Sequence, residues 1–183
     1  DIKSSNFLLT PDLQTVKLCD TGMSKIAANN NIASIHESKN IGSSRWKAPE
    51  TYDSEFTLAS DIFSLGMVFY EIATRQLPFG SDTNNEFVEQ QIRTGERPDL
   101  TTIEHEEFKK LIEDCWHQEP NKRPTSATVV EIIDQMIENF DQVQTASKPV
   151  VSKQLITSPT FENAIKLLSA KTVSSDEKTK NMQ

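Results

Sequence analysis

The chain has 183 residues, a length that suits one domain with a tail, and its formal net charge is -8. With a pI near 4.9, an acidic surface argues against nonspecific binding to nucleic acid or to anionic membranes, since both need clustered Lys and Arg. Hydrophobic content of 36%, aromatic content of 7% and a mean hydropathy of -0.51 imply that part of the chain does not pack. No apolar run reaches the roughly 18 residues needed to span a bilayer, and no signal peptide opens the chain. Cys19 and Cys115, each beside apolar residues, read as isolated buried thiols of a reducing, cytoplasmic compartment. No metal-ligand spacing joins them to His36, His105 or His117, which read as ordinary surface or helix-end residues.

Phe7-Leu8-Leu9 and residues 15–19 are two short apolar runs separated by Thr10-Pro11-Asp12, which is turn chemistry, so a small hairpin is predicted. From Thr21 to Lys47 there is no sustained period, as in a long functional loop. Ser60 is predicted to cap a helix with Asp61 in its first turn. The run 62–73 that follows is apolar nearly all round, which places that helix in the middle of a domain. Phe87, Val88, Gln91 and Ile92 predict a shorter helix stopped by Gly95 and Pro98. Phe108, Leu111, Ile112, Cys115 and Trp116 form a one-sided helical stripe. Val129, Ile132, Ile133, Met136 and Ile137 form another, with Thr125 or Ser126 as its cap. Residues 1–140 carry a net charge of -10 and residues 141–183 one of +2, so a disordered tail is predicted from 141, with one short amphipathic stretch at Phe161, Ile165 and Leu168.

Chemistry concentrates at the start. Asp1 and Asn6 put a carboxylate and an amide on one tight loop, and Asp20-Thr21-Gly22 returns to it after the hairpin. Phosphoryl transfer needs groups of this kind: a carboxylate to take the proton of the attacking hydroxyl, oxygen ligands for magnesium, and a cation such as Lys3 to offset phosphate charge.

The chain resembles the C-terminal lobe of a eukaryotic protein kinase. DIKSSN is similar to the catalytic loop from its Asp onward, CDTG to the magnesium-binding motif with Thr21 where Phe is usual, and WKAPE (46–50) to the motif that ends the activation segment. SDIFSLG resembles the start of the central helix and DCWHQEPNKRPT (114–125) the segment near the domain's end. All five stand in the family's order. The resemblance implies a mainly α fold over 1–140, with the small β-hairpin at the catalytic loop and the disordered tail after it. It also implies Asp1 as catalytic base, Lys3 on the transferred phosphate, Asn6 and Asp20 as magnesium ligands, a Glu50–Arg123 pair, and Asp61 bonded to the catalytic-loop backbone. ATP and Mg2+ are the implied cofactors, and a protein substrate the implied partner.

Lys3 and Gly42-Ser43 favour Ser/Thr specificity, and Trp46 with DCWHQEPNKRPT is similar to the tyrosine-kinase-like group. Ser34, Ser38 and Ser44 are candidate phosphosites, with Lys25, Lys39 or Arg45 as charge partners. The glycine-rich loop, the strand lysine and the rest of the N-terminal lobe have no counterpart in these residues. This reading therefore expects a fragment that by itself transfers no phosphate and folds poorly, with helix 62–73 exposing apolar surface. A pseudokinase-like scaffold and a truncated remnant are the alternative readings.

Overall fold

The computed structural model describes residues 1–19 and 44–146, excluding the side chains of 141 and 143–146. These residues belong to two compact units, one built from residues 1–8 and 18–124 and the other from 9–17 and the residues after 124.

A 3-10 turn over Ser4–Asn6 leads into β1 (Phe7–Leu9), which pairs with β2 (Val16–Leu18) in a two-stranded sheet. Thr10 closes the turn at both levels. Its amide donates to Thr15 O at 2.9 Å, and its hydroxyl oxygen accepts the Thr15 amide at 3.0 Å. The hairpin thus stands where the turn residues place it.

Helix α1 (Leu58–Thr74) is the spine of the first unit. It starts earlier than the sequence suggests, because Thr57, not Ser60, is the N-cap. Thr57 and Ser60 form a capping box: the Ser60 amide donates to Thr57 Oγ1 at 3.3 Å and the Thr57 amide to Ser60 Oγ at 3.1 Å. Most of the apolar surface of α1 beyond its first turn is covered rather than exposed. Ile62, Phe63, Met67, Val68, Phe69 and Tyr70 are all buried, and α1 packs against α3 (Glu106–Cys115). Gly66 permits that approach: a Cβ there would lie 2.9 Å from Cys115 Cβ. Phe69 and Phe108 stack obliquely across the contact, with ring centroids 5.6 Å apart. Leu58, the first residue of α1, stays exposed, as do Leu8, Leu9, Leu13 and Leu18 of the hairpin.

Helix α2 (Asn85–Arg93) is capped by Asn84, whose Oδ1 accepts the Phe87 amide at 2.8 Å. The chain leaves it through Gly95, at a φ of 91° that favours glycine. Helix α3 is capped by His105 Nδ1, and all five residues of its predicted stripe are buried. In the second unit, Thr125 Oγ1 accepts the Thr128 amide at 3.2 Å and caps α4 (Ser126–Ala146). Val129, Ile133 and Met136 of its stripe are buried, and Ile132 and Ile137 half-buried. The helix continues past residue 140, where the charge pattern suggests that the tail begins.

Candidate active site

The loop DIKSSN closes on itself. The Asn6 amide donates to Lys3 O at 3.0 Å, which makes the 3-10 turn and buries the Asn6 side chain. From there Asn6 Nδ2 donates to Asp1 O at 2.7 Å and to Asp1 Oδ2 at 3.2 Å. Lys3 Nζ lies 2.6 Å from the same Asp1 Oδ2. A carboxylate, an ammonium and an amide therefore meet within one six-residue loop. The Cys19 amide donates to Asn6 O at 2.8 Å, so the end of β2 is fastened to the same turn. Asp20, the next residue, lies outside the described residues.

Glu50 sits on the 3-10 helix Pro49–Asp53, and Arg123 follows the 3-10 helix Pro120–Lys122. Their side chains pair face to face, at 2.7 Å from Nη1 and 2.9 Å from Nη2. The remaining Arg123 donors reach three carbonyls: Ala59 at 2.9 Å, His117 at 2.8 Å and Gln118 at 3.2 Å. All five guanidinium N–H groups are thus used. The Ser60 hydroxyl donates to Glu50 Oε1 at 2.7 Å. Burial pushes the Glu50 carboxyl up, but Arg123 and Ser60 outweigh it and hold the group below its ordinary value.

Trp46 is held to α1 at both ends. The Ser64 hydroxyl donates to its carbonyl at 2.6 Å, and its indole Nε1 donates to Glu71 Oε2 at 2.7 Å. The other oxygen of Glu71 accepts the Ser4 hydroxyl at 3.0 Å. Burial pushes the Glu71 carboxyl up, partly offset by these two hydrogen bonds.

Two expectations need correction. Asp61 is exposed, and among the described residues it accepts no hydrogen bond from the loop 1–6. Desolvation pushes its carboxyl up. Arg45 is not a surface cation awaiting phosphate. It is buried, with guanidinium donors on the carbonyls of Pro78 (3.4 Å), Ser81 (3.5 Å) and Thr83 (2.7 Å). Of the candidate phosphosites, Ser44 is half-buried and its carbonyl accepts the Tyr52 hydroxyl at 2.9 Å. Ser34 and Ser38, with Lys25 and Lys39, lie outside the described residues.

The sequence reading missed Glu71, and Ser60 as a link to Glu50. A carboxylate near the end of an otherwise apolar helix was the available signal, because a half-buried charge needs partners.

Residues 1–133 match the family described as protein tyrosine and serine/threonine kinase. The chain is 35% identical over 155 residues to a light-sensor protein kinase of Ceratodon purpureus, covering 72% of this chain and 12% of that protein. It is 30% identical over 159 residues to mitogen-activated protein kinase kinase kinase 7 of Drosophila melanogaster, covering 86% and 23%. It is 29% identical over 138 residues to the serine/threonine-protein kinase STY17 of Arabidopsis thaliana, covering 75% and 23%. The chain belongs to the protein tyrosine and serine/threonine kinase family, and it spans less than a quarter of each of these three relatives. Its mainly helical build with one hairpin agrees with the C-terminal lobe of such a domain, and relatives of this kind agree with the tyrosine-kinase-like resemblance of its motifs.

Proposed function

We propose that the whole protein transfers the γ-phosphate of ATP to Ser or Thr hydroxyls of protein substrates. The observation that carries this is the Asp1–Lys3–Asn6 cluster inside a single loop. Asp1 orients the attacking hydroxyl and accepts its proton. Lys3, beside that carboxylate, offsets charge on the transferred group. The serine/threonine-protein kinase name of the Arabidopsis relative supports the substrate class.

The residues fit magnesium as far as they are described. Asn6 directs its amide nitrogen at Asp1, which leaves its side-chain oxygen as a hard ligand. Asp20 would supply the second oxygen donor. Among the described residues no group of three His, Cys, Asp or Glu side chains forms a dedicated cage. Magnesium takes one or two protein oxygens and completes its shell with phosphates and water. When bound, magnesium neutralises phosphate charge.

The test is transfer from labelled ATP to an unstructured protein containing Ser, Thr and Tyr, followed by phosphoamino-acid analysis, using the complete protein. Asp1→Asn is expected to lower kcat by roughly 10²-fold or more, with label on Ser and Thr. An Asp1→Asn protein as active as wild type would remove the base assignment. Label confined to Tyr would overturn the substrate class.

A further inference from the structure

Glu71 does more than satisfy a helix. It is the one side chain described that bonds the catalytic loop and the Trp46 segment together, with one oxygen on Ser4 and the other on Trp46. Ser4 is the residue after Lys3, and it opens the turn that presents Asn6 to Asp1. Trp46 lies in the short 3-10 helix Ser44–Trp46, four residues before Glu50, and Ser64 already fixes its backbone. The two segments are forty residues apart in sequence, and the carboxylate sits between them on a rigid element.

We infer that Glu71 is a positioning residue, which sets the orientation of the Asp1–Asn6 loop according to whether Trp46 is docked on α1. The inference rests on the kinase reading of that loop. The carboxylate is suited to the task because its two oxygens point at different partners. A change in the Trp46 bond then alters the acceptor offered to Ser4, and at a half-buried carboxylate losing either donor has a cost. Neither Glu71 nor Trp46 touches the reacting atoms. The effect on rate comes through placement of Asp1, where small displacements are expensive.

The experiment uses the complete protein and two readouts. The first is the Trp46 indole N–H resonance, compared between wild type, Ser4→Ala and Glu71→Ala. Ser4→Ala is expected to shift it, although Ser4 does not contact Trp46, and Glu71→Ala to shift it further. The second is kinetic. Glu71→Ala should lower kcat by roughly 10- to 100-fold, with the KM for ATP changed by less than about two-fold. The losses in kcat from Ser4→Ala and Trp46→Phe should be non-additive in the wild-type background and additive once Glu71 is Ala. Glu71→Gln keeps the shape and one acceptor, and should recover part of the rate. An unmoved indole resonance in Ser4→Ala, or additive losses in both backgrounds, would overturn the inference. A wild-type protein that transfers no phosphate would defeat the kinase reading instead, and the indole resonance would still decide the coupling.

Discussion

The Glu50–Arg123 pair offers a test of how much of this fold rests on one charged contact. The perturbation is Glu50→Gln, which keeps the shape and removes the charge. In wild type the Arg123 side chain is fully buried and that of Glu50 is 9% exposed, so neither has much water to fall back on. The substituted side chain keeps an oxygen for Ser60 and Arg123 Nη1, but it turns an amide N–H toward Arg123 Nη2, donor against donor. Arg123 is then a buried cation whose remaining partners are carbonyls at Ala59, His117 and Gln118. Removing one partner of a buried pair costs about 3–5 kcal/mol, and three surviving carbonyls put this case near about 3.

The assay is urea unfolding of the kinase domain, read by tryptophan fluorescence, for Glu50→Gln, Arg123→Met and the double variant. Because both singles break the same contact, the double should be less unstable than their sum by about 2 kcal/mol. A Glu50→Gln loss below about 0.5 kcal/mol would put the pair in the class of solvated surface bridges and refute the reasoning.

Two further predictions concern packing and pH. Gly66→Ala should destabilise by about 1–3 kcal/mol despite the better helix propensity of Ala, because the new methyl meets Cys115 Cβ at 2.9 Å and the Trp116 backbone nitrogen at 3.3 Å, neither of which can swing away; an unchanged urea midpoint would show that α1 and α3 separate freely. Glu50 and Glu71 should bend stability against pH in opposite senses. The lowered Glu50 contributes stability that is present above its ordinary value near 4.5 and lost as pH falls through its folded value, whereas the raised Glu71 contributes stability that is present below 4.5 and lost as pH rises through its folded value. Glu50→Gln should therefore flatten the acid limb, and Glu71→Gln the limb just above 4.5, in unfolding measured from pH 3 to 7; the same slope change from both variants would contradict the assignment.

What the sequence made legible follows the range of the physics involved. The hairpin rests on Thr10 and its neighbours, and the α3 stripe on a period that repeats within ten residues, so both can be read locally. The start of α1 was misplaced because Leu58, its first residue, is 77% exposed and adds nothing to the apolar pattern, while the true cap is a hydroxyl pair that alone resembles any loop. The Asp1–Lys3–Asn6 cluster was accessible because one turn makes it. Arg45 shows the opposite case. A basic residue beside serines invites a phosphate, yet its donors are taken by carbonyls more than thirty residues away, and no local pattern announces them.

Those distant bonds explain how a helix that reads as featureless can hold a site. Burial of Phe63, Met67 and Phe69 favours packing α1 somewhere in the interior, but apolar contact is non-directional and would tolerate a slip or a rotation. Ser60, Ser64 and Glu71 fall within about 40° of one another around the helix axis. Along that stripe they bond Glu50, Trp46 and Ser4 in turn. Hydrogen bonds have fixed lengths and directions, so the stripe admits one rotation of α1 and one seating of the segments that lie on it. The apolar faces supply most of the energy that places the helix. Three polar side chains determine where the loop carrying Asp1 and the segment carrying Glu50 stand upon it.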